Sequence, residues 1–526
     1  MKRALPIGVI WIVGATALWL ALTASPWWVA VAVPLLLLAA LGTHDLLQRR
    51  HAILRAYPIL GHARFLMEEL RPEIRQYFIE SDTADTPFAR EIRDIVYERA
   101  KGTKSEEPFG TQRDVYEPNH EFVPHSLRAR FATEPAPRVR LGGPDCTQPY
   151  DIALLNVSAM SFGALSAQAI EALNAGAARG GFAHDTGEGG MSPYHLKPGG
   201  DLIWEIASAY FGCRTAEGAF DPELFAAKAA TPAVKAISIK LSQGAKPGLG
   251  GVLPGAKVTE EIAATRGVPV GQTVISPPTH SAFGTPLELV GFIATLRRLS
   301  GGKPVGIKLC VGARSEFLSI CKAMLATGIT PDFIIVDGAE GGTGAAPQEF
   351  EDFVGLPLTE GLMLVHNALV GVGLRGRIRI GASGKVATGF DIVSRVVQGA
   401  DFTLAARAMM FAVGCIQARK CHTNACPTGV ATQDPERSRA IDVPDKSARV
   451  YNFQKATVAS AAQLVASMGL GGFAELTPAM LHRRIDSRRT ASYAELYDWL
   501  DDGELLSHPP KPWRDDWERA RPNAFV

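Results

Sequence analysis

Two long apolar runs open the chain and contain almost no polar residue. They cover residues 5–24 and 27–41, with Ser25 and Pro26 between them. A helix needs about 20 apolar residues to span a bilayer, and about 17 at the low end, so each run approaches that length. The pattern predicts an N-terminal transmembrane helical hairpin over residues 1–45.

The residues that flank the two runs give the hairpin its expected orientation. Lys2 and Arg3 precede the first run, and Arg49 and Arg50 follow the second. Positive residues beside membrane spans favour the cytoplasm, so we expect the inner (cytoplasmic) membrane, with the rest of the protein on the cytoplasmic side. Two alternatives stay open. Residues 21–24 resemble the cleavage site of a secretion signal, and the hairpin could instead be buried or lie in the membrane interface.

Residues 46–130 carry a different pattern, in which apolar residues at helical spacing alternate with charges of both signs. The stretch ARFLMEELRPEIRQYFIE is the clearest example, and residues 109–126 have the pattern of irregular coil. Such spacing is typical of helices with one packed face and one solvated face. We expect a helical and irregular prelude that packs on the next domain and has no catalytic role.

From about residue 151 the pattern changes to short apolar runs that end in glycine-rich or polar loops, with helical stretches between them. This βα rhythm is typical of a parallel sheet, and eight repeats over roughly 280 residues suit a closed (β/α)8 TIM barrel. The alternative, a doubly wound open sheet, would carry G-x-G-x-x-G after its first strand, and that motif does not occur there. The candidate strands are IALLNVSA, GFAHDTG, AISIKLS, QTVISPP, PVGIKLC, FIIVDGA, RIRIGAS and DFTLAAR.

The predicted fold is therefore α/β, with a TIM barrel over residues 131–435. A C-terminal helical extension and tail would follow over residues 436–526. Chemistry in such barrels sits at the C-terminal ends of the strands, and the small and polar residues of this chain concentrate there. Glycine-rich loops after the last two strands are typical of a phosphate site, because their backbone N–H groups can face an anion.

Composition excludes some classes of function. The formal net charge of the 526 residues is +1, so no global field favours nucleic acid, and none is expected as a partner. Four of the seven cysteines are scattered along the chain and are expected to be buried apolar thiols.

The other three cysteines lie close together, in the run CIQARKCHTNACPTGVATQ. They are Cys415, Cys421 and Cys426, and thiolates are the usual ligands of iron–sulfur clusters. Three nearby ligands indicate a three-iron cluster, or a fourth ligand from elsewhere. Zinc is an alternative because Cys3His is a known zinc set, although His422 directly follows Cys421 and would struggle to face the same ion. Three unbonded thiols are the remaining alternative.

Taken together, these segments resemble the flavin-binding synthase domain of glutamate synthase. The resemblance covers about residues 120–475 and depends on the motifs SAMSFGALS, DTGEGG, SQGAKPGLGGVLPG, VGIKL, GAEGGTGAAP and CHTNACPTGVATQ. It implies FMN as cofactor and a [3Fe–4S] cluster on the three cysteines of segment 415–426. It also implies that Lys308 contacts the flavin and that Gln243 and Lys246 hold 2-oxoglutarate.

The resemblance and the strand-end positions together give the predicted site. A lysine can stabilise the negative charge of a reduced flavin, and a dicarboxylate needs cations and amide donors. The predicted cofactor-binding residues are Ser158, Ala159, Met160, Ser161, Lys308, Asp337, Gly341, Gly342, Thr343, Gly381, Ser383, Gly384, Ala406 and Arg407. The predicted catalytic residues are Lys246, Gln243, Lys240 and Glu188, of which Glu188 would handle a proton. Lys246 is expected on an exposed loop.

Four positions depart from the pattern of the family that the chain resembles. Asp185 stands where the family has asparagine, and Glu205 where a glutamine is common. Two loop glutamates of the family are Met191 and Leu249 here. These departures bear on the substrate more than on the flavin.

The resemblance implies an oxidoreductase of glutamate biosynthesis that acts on CH–NH2 donors. It would reduce the imine formed from 2-oxoglutarate and ammonia or an amine. No cysteine precedes Cys146, so no glutaminase of the family's type is expected, and ammonia would come from a partner. Without a dinucleotide-binding fingerprint, electrons would come from a ferredoxin or flavoprotein. Another keto acid or amine, a membrane electron-transfer subunit, and a homo-oligomer stay open.

Overall fold

The computed structural model of the protein describes residues 4–83, 86–103, 106, 108–132 and 137–526. Lys2 and Arg3, on which the expected orientation depends, lie outside these residues. The chain forms two compact units that divide between Ser81 and Asp82.

The first unit contains an antiparallel helical hairpin. Its helices are Leu5–Thr23 and Val29–Leu47, and a 3-10 turn, Pro26–Trp28, joins them. The indole Nε1 of Trp11 donates a hydrogen bond to Thr43 Oγ1 across the hairpin at 3.0 Å. Both helices are long and apolar enough to cross a membrane, judged by length and composition. Shorter helical segments complete the unit: Ala52–Ala56, Gly61–Ile74 and the π-helical turn Arg75–Ile79.

The second unit is built around a closed barrel of eight parallel strands, which confirms the predicted TIM barrel. Each strand pairs with its neighbours in chain order, and β8 closes the ring by pairing with β1. The strands are β1 (Leu155–Val157), β2 (His184–Asp185), β3 (Leu202–Ile206), β4 (Val234–Lys240), β5 (Val305–Leu309), β6 (Phe333–Asp337), β7 (Arg379–Ser383) and β8 (Phe402–Ala405).

The prediction of the individual strands was wrong in one place. QTVISPP was expected as a barrel strand, but Val274–Ile275 pairs antiparallel with Val252–Leu253 in the loop region after β4. The missing barrel strand is β3, which the sequence analysis did not recognise. Its residues LIWEI are buried on both faces, so they show no alternation of apolar and polar positions. The glutamate also interrupts the apolar run by which a fully buried strand is recognised.

Helices surround the barrel, and several start at capping boxes that the sequence supplies. Thr285 accepts a hydrogen bond from the Glu288 amide, and Thr388 accepts one from the Asp391 amide. Each pairing satisfies amides that a helix start leaves free. The helices of this unit are Arg90–Lys101, Ala167–Gly180, Pro193–Leu196, Pro222–Ala229, Glu260–Arg266, Pro286–Leu299, Arg314–Thr327, Gln348–Phe353, Leu358–Gly371, Gly389–Val397, Arg407–Val413, Pro435–Ser438, Val443–Ser467, Tyr493–Leu496, Glu504–Ser507 and Lys511–Arg519.

A β-hairpin closes the N-terminal end of the barrel. Its strands are Arg138–Leu141 and Tyr150–Ala153. The side chains of Leu141 and Ile152 are fully buried in one cluster with interior residues of the barrel, among them Phe333 and Phe402. The N-terminal half of the barrel interior is thus filled with apolar side chains, and the polar residues lie at the C-terminal end of the strands.

Segments from before and after the barrel pack against it and against each other. The long helix Val443–Ser467 lies along Ala167–Gly180 and Arg90–Lys101. A three-stranded sheet joins Glu121–Phe122 to His482–Arg484 and Thr490–Ser492. The last helix, Lys511–Arg519, is held on the barrel by an ion pair between Arg314 Nε and Asp516 Oδ2 at 2.7 Å.

Candidate functional site at the barrel mouth

A layer of polar side chains fills the C-terminal mouth of the barrel. Ala183, Ile203, Ala236 and Phe333 point into the barrel, and side chains alternate along a strand, so inward-facing positions recur every second residue. The alternation places the following residues in the mouth: Asp185 on β2, Glu205 on β3, Lys240 on β4, Lys308 on β5, Asp337 on β6 and Ser383 on β7.

The centre of this layer is a buried ion pair. Lys308 Nζ lies 2.6 Å from Glu205 Oε2, and the two side chains are 6% and 1% exposed. Burial alone would lower the pKa of Lys308, but the charges of Glu205, Asp337 and Asp185 outweigh it and hold that pKa above its usual value. Lys308 therefore stays charged, as the predicted role beside a flavin requires.

Asp185 lies in the same layer, and no cation of the described residues forms an ion pair with it. It is fully buried, and its Oδ1 accepts a hydrogen bond from the Gly187 amide at 3.0 Å. Its Oδ2 is without a hydrogen-bond partner in the part of the chain that the structure describes. Burial and the nearby charge of Glu205 raise the pKa of Asp185 to about 8.

The four predicted catalytic residues form a second group beside the ion pair. Lys240 Nζ donates to Gln243 Oε1 at 2.7 Å and lies 3.3 Å from Glu188 Oε1. Burial favours the neutral form of Glu188, but Lys240, Arg266 and Lys246 hold its pKa below its usual value. The charge of Lys246 acts on both Glu188 and Lys240. Each of the four thus touches another or interacts with it electrostatically.

The expectation of an exposed Lys246 was wrong. The residue is 1% exposed, because the glycine-rich loop that carries it folds inward over the mouth. Burial lowers the pKa of Lys246, and the attraction of Glu188 offsets that only in part. Among the residues that the structure describes, Lys246 forms no ion pair. A buried lysine without one is costly, so Lys246 is well suited to bind an incoming anion.

Glycines allow the loops after β4 and β6 to meet above the barrel. A Cβ on Gly244 would lie 1.9 Å from the carbonyl oxygen of Gly338, which no larger residue could tolerate. The Gly244 amide donates to Asp337 Oδ2 at 2.9 Å, and Gly341 lies beside Gly244. Asp337 and Gly341 therefore have a structural part in joining the two loops.

The predicted phosphate end lies where β7, β8 and β1 finish. Ser158 Oγ is 3.1 Å from Ser383 Oγ. Gly384 has a φ of 154°, and Ala406 directly precedes the helix that Arg407 begins. Arg407 Nη2 donates to the Glu340 carbonyl at 2.9 Å, and burial lowers the pKa of Arg407.

The remaining predicted cofactor residues fall in different surroundings. Ser161 Oγ accepts from the Gly189 amide at 3.2 Å, Met160 is buried beside it along the chain, and Ala159 is half-buried. Gly342 and Thr343 lie exposed at the end of their loop. Gly381 lies deeper in the barrel, where a Cβ would come within 2.6 Å of the Phe402 ring, so packing accounts for that glycine.

Sequence reasoning missed three cations near the mouth. Arg266 donates to the Phe162 carbonyl at 2.9 Å. Burial lowers the pKa of Arg266 to about 10, and the nearby charge of Glu188 offsets that effect only in part. Burial and Arg407 lower the pKa of Lys385. Lys257 lies beside the cysteines. Arg266 and Lys257 are distant in sequence from the residues they face, so no local pattern could reveal them. Lys385 directly follows Gly384, so the pattern of that loop could have included it.

The three clustered cysteines lie in the loop after helix Arg407–Val413, and the charge of Cys415 interacts with those of Cys421 and Cys426. Burial raises the pKa of Cys415 to about 12 and also raises that of Cys421. Burial acts the same way on Cys426, but hydrogen bonds from Ala431, Thr428 and Val430 outweigh it and lower that pKa.

Lys257 brings a positive charge to this group of thiols. Its Nζ donates to the Cys421 carbonyl at 3.0 Å, and burial lowers its pKa to about 8 although both Cys421 and Cys426 raise it. Within the described residues, no three His, Cys, Asp or Glu side chains converge closely enough to hold a single metal ion. One zinc ion would need sulfurs within about 4 Å of one another, whereas a cluster of several irons separates its ligands further.

Residues 117–471 match the family model described as "Conserved region in glutamate synthase". The chain belongs to the glutamate synthase family. It is 38% identical over 464 residues to the glutamate synthase large subunit-like protein YerD of Bacillus subtilis. The matched region covers 80% of this chain and 88% of that protein. It is 34% identical over 351 residues to the archaeal glutamate synthase [NADPH] of Methanocaldococcus jannaschii, covering 66% of this chain and 63% of that one.

The coverage differs strongly among these glutamate synthase relatives. The chain is 38% identical over 301 residues to the large chain of glutamate synthase [NADPH] from Azospirillum brasilense. That match covers 56% of this chain but 19% of that protein. The chain thus matches one part of the large enzymes and most of the short Bacillus protein. These relatives place it among oxidoreductases of glutamate synthase type.

Proposed function

We propose that the protein is an FMN- and iron–sulfur-dependent oxidoreductase that reduces an imine formed from 2-oxoglutarate and ammonia or an amine. The observation that carries the proposal is the mouth of the barrel. There a charged Lys308 lies beside a second group of lysines, Lys240 and Lys246, with Gln243 and Glu188 between them. Membership of the glutamate synthase family supports the same reaction class.

FMN fits the polar layer and the loops beyond β7 and β8. Lys308 would hold the flavin ring, and the phosphate would lie near Gly384 and Arg407, with Ser158 and Ser383 beside it. When bound, FMN supplies hydride transfer. Lys308 can stabilise negative charge on the ring because its neighbours Glu205, Asp337 and Asp185 keep its pKa above its usual value.

The substrate side of the mouth suits a dicarboxylate. Lys246 is buried, and its ammonium forms no hydrogen bond within the described part of the chain, so an incoming carboxylate would give it one. Lys240 already bonds Gln243 and Glu188 and can orient both. Glu188 stays ionised because its pKa is held low, so it can accept a proton from an attacking amine.

A [3Fe–4S] cluster on Cys415, Cys421 and Cys426 would pass electrons to the flavin. The three thiols interact electrostatically, and Lys257 provides a compensating positive charge. Gly344 packs against Cys421, with a built Cβ 3.3 Å from the cysteine's Cβ. The cysteine loop therefore touches the loop that follows β6, the strand that carries Asp337 at the mouth.

The partners and the location complete the proposal. The electron donor would be a ferredoxin or flavoprotein, a partner would supply ammonia, and the protein could form homo-oligomers. The names of the archaeal and Azospirillum relatives specify NADPH for those enzymes. The hairpin would anchor the protein in the inner membrane with the barrel on the cytoplasmic side, which the length and composition of its helices support.

A membrane electron-transfer subunit is the second candidate. Leu249 and Met191 replace two loop glutamates, and the Leu249 side chain is 39% exposed near the mouth. An apolar residue there favours contact with a protein partner over a bound acid. The same barrel and cysteines would then pass electrons without an organic substrate.

Replacing Lys246 by methionine tests the enzyme proposal, because methionine fills similar space without the charge. A lost charge-assisted hydrogen bond costs about 1.5–3 kcal/mol, so Kd for 2-oxoglutarate should rise about tenfold or more. The measurement is the change in flavin absorbance on titration of the anaerobic protein. Lys235→Met is the matched control, because Lys235 lies near the start of β4, at the opposite end of the barrel from the loop that carries Lys246.

The control variant should bind as the parent does. A parent that shows no spectral response to 2-oxoglutarate would favour the electron-transfer subunit instead. A Lys246→Met protein that binds the acid as tightly as the parent would remove Lys246 from the site.

A further inference from the structure

Two carboxylates and one ammonium share the centre of the barrel mouth. Glu205 is paired with Lys308 at 2.6 Å, and Asp185 has no paired cation within 4 Å among the described residues. All three residues are nearly inaccessible, at 0% for Asp185, 1% for Glu205 and 5% for Lys308. If all three were ionised, Asp185 would be a buried carboxylate without a paired cation, which is unfavourable.

The nearest surrounding cation does not pair with Asp185 either. Lys240 acts on Asp185 from β4, but its ammonium is already committed to Glu188 and Gln243. Asp337 on β6 also faces Lys308 and adds a further negative charge. The cations in reach of Asp185 are thus matched by other carboxylates.

The hydrogen bonding of Asp185 fits a neutral acid. Oδ1 is the acceptor of the Gly187 amide, whereas Oδ2 faces no acceptor or donor in the described part of the chain. A protonated carboxyl has one O–H donor, which Oδ2 would carry. The alternation along β2 points Asp185 into the barrel, so a molecule that enters this layer would meet that donor.

We propose that Asp185 is a neutral carboxylic acid in the resting protein and is the hydrogen-bond donor to the molecule bound at the mouth of the barrel. The protonation follows from the charges of this chain alone. The donor role, for the keto acid or the flavin, depends on the proposed function.

A direct test is infrared difference spectroscopy of the full-length protein against Asp185→Asn, without added substrate. Asparagine keeps the shape and can still donate a hydrogen bond, so the variant should fold. The parent should show the carbonyl band of a buried protonated carboxyl at pH 6 to 7, which the variant lacks. Identical spectra at that pH would overturn the proposal.

Glu205→Gln gives a second and opposite test. It removes the carboxylate that repels Asp185 and frees Lys308 to attract it, so the midpoint at which the carboxyl band disappears should fall by about 1–3 pH units. An unchanged or higher midpoint would contradict the proposed coupling. Both outcomes are read without substrate, so they do not depend on the reaction.

Stability against pH gives a readout that a merely structural role would not produce. Asp185 has a raised pKa of about 8 in the folded protein and about 3.9 unfolded. Its contribution is therefore complete below about pH 4 and is lost as the pH rises toward 8, because the unfolded chain binds fewer protons in this window. The stability of the parent relative to Asp185→Asn should fall from pH 5 to pH 8. A constant difference would overturn the proposal.

The donor role is tested separately by the pH dependence of 2-oxoglutarate binding. Binding to the parent should weaken as Asp185 loses its proton, since a carboxylate would then repel the acid, and Asp185→Asn should remove that dependence. If the band is present but 2-oxoglutarate does not bind at any pH, the neutral acid stands and the proposed function fails.

Discussion

At the scale of single residues, the site is defined by charges buried inside the barrel. The Lys308–Glu205 pair and the Lys240–Glu188 pair lie side by side, since Lys240 and Lys308 are register partners on β4 and β5. The sequence located both lysines, because each ends a recognisable strand. It could have placed Glu205 as well if LIWEI had been read as a strand. The pairing itself depends on strands 103 residues apart, which no local pattern reveals.

The cysteines allow a test at the same scale. Cys421→Ser should abolish the electron paramagnetic resonance signal of the cluster, because serine is a poor ligand for iron in such clusters and only two thiols would remain. Iron content of the anaerobically purified protein should fall from about three per chain to near zero, following the three-ligand count.

The matched control is Cys146→Ser. Cys146 lies at the N-terminal end of the barrel, where its thiol donates to the Gly302 carbonyl, so the signal should be unchanged. Stoichiometric zinc without iron in the parent protein would contradict the cluster.

At the scale of elements, the alternation of short apolar runs with helical stretches and glycine-rich loops predicted most of the barrel strands. Seven of the eight predicted strands correspond to barrel strands. The error exchanged β3 for Val274–Ile275, since both read as short apolar runs, and a run of that length fits a barrel strand or a loop hairpin equally well. The two prolines after Ser276 are the signal that should have excluded QTVISPP, because proline cannot join an interior ladder.

Gly381 on β7 could serve either as a cofactor contact or as a packing position against β8. The position of Gly381 in the sequence predicts a cofactor contact, whereas the structure places the residue against the Phe402 ring. Gly381→Ala should therefore destabilise the protein by about 1–3 kcal/mol through overpacking, measured by urea denaturation. FMN affinity should change little.

Adding Phe402→Leu to Gly381→Ala should recover part of that loss, because the smaller side chain leaves room for the methyl group. If Gly381→Ala weakens FMN binding with no loss of stability, the cofactor contact is the correct role.

At the scale of the whole molecule, the chain divides into a unit with two apolar helices and a unit built on the barrel. The apolar runs predicted both helices, because a single strong property, hydropathy over about 20 residues, decides them. The extent of the prelude was harder to predict, since helices such as Arg90–Lys101 are fixed by contacts with Val443–Ser467, more than 300 residues later.

Removal of residues 1–47 tests the anchor. The intact protein should stay in the membrane fraction through high salt and carbonate, because two apolar helices would have to leave the bilayer. The shortened protein should appear in the soluble fraction with unchanged FMN and iron per chain. Cofactor content by absorbance and iron analysis measures the second point. Intact protein that is soluble without detergent would contradict the membrane hairpin.

The pairing of β8 with β1 has a consequence for synthesis on the ribosome. Thr403 bonds Leu154 across 249 residues, so the nascent sheet keeps two open edges until almost all of the barrel has been made. At about 5–20 residues per second, roughly 250 residues take about 12–50 s. Unpaired strand edges invite association between chains. We expect the growing chain to need a chaperone during this interval, and a ribosome held at the membrane by the hairpin would separate neighbouring nascent barrels.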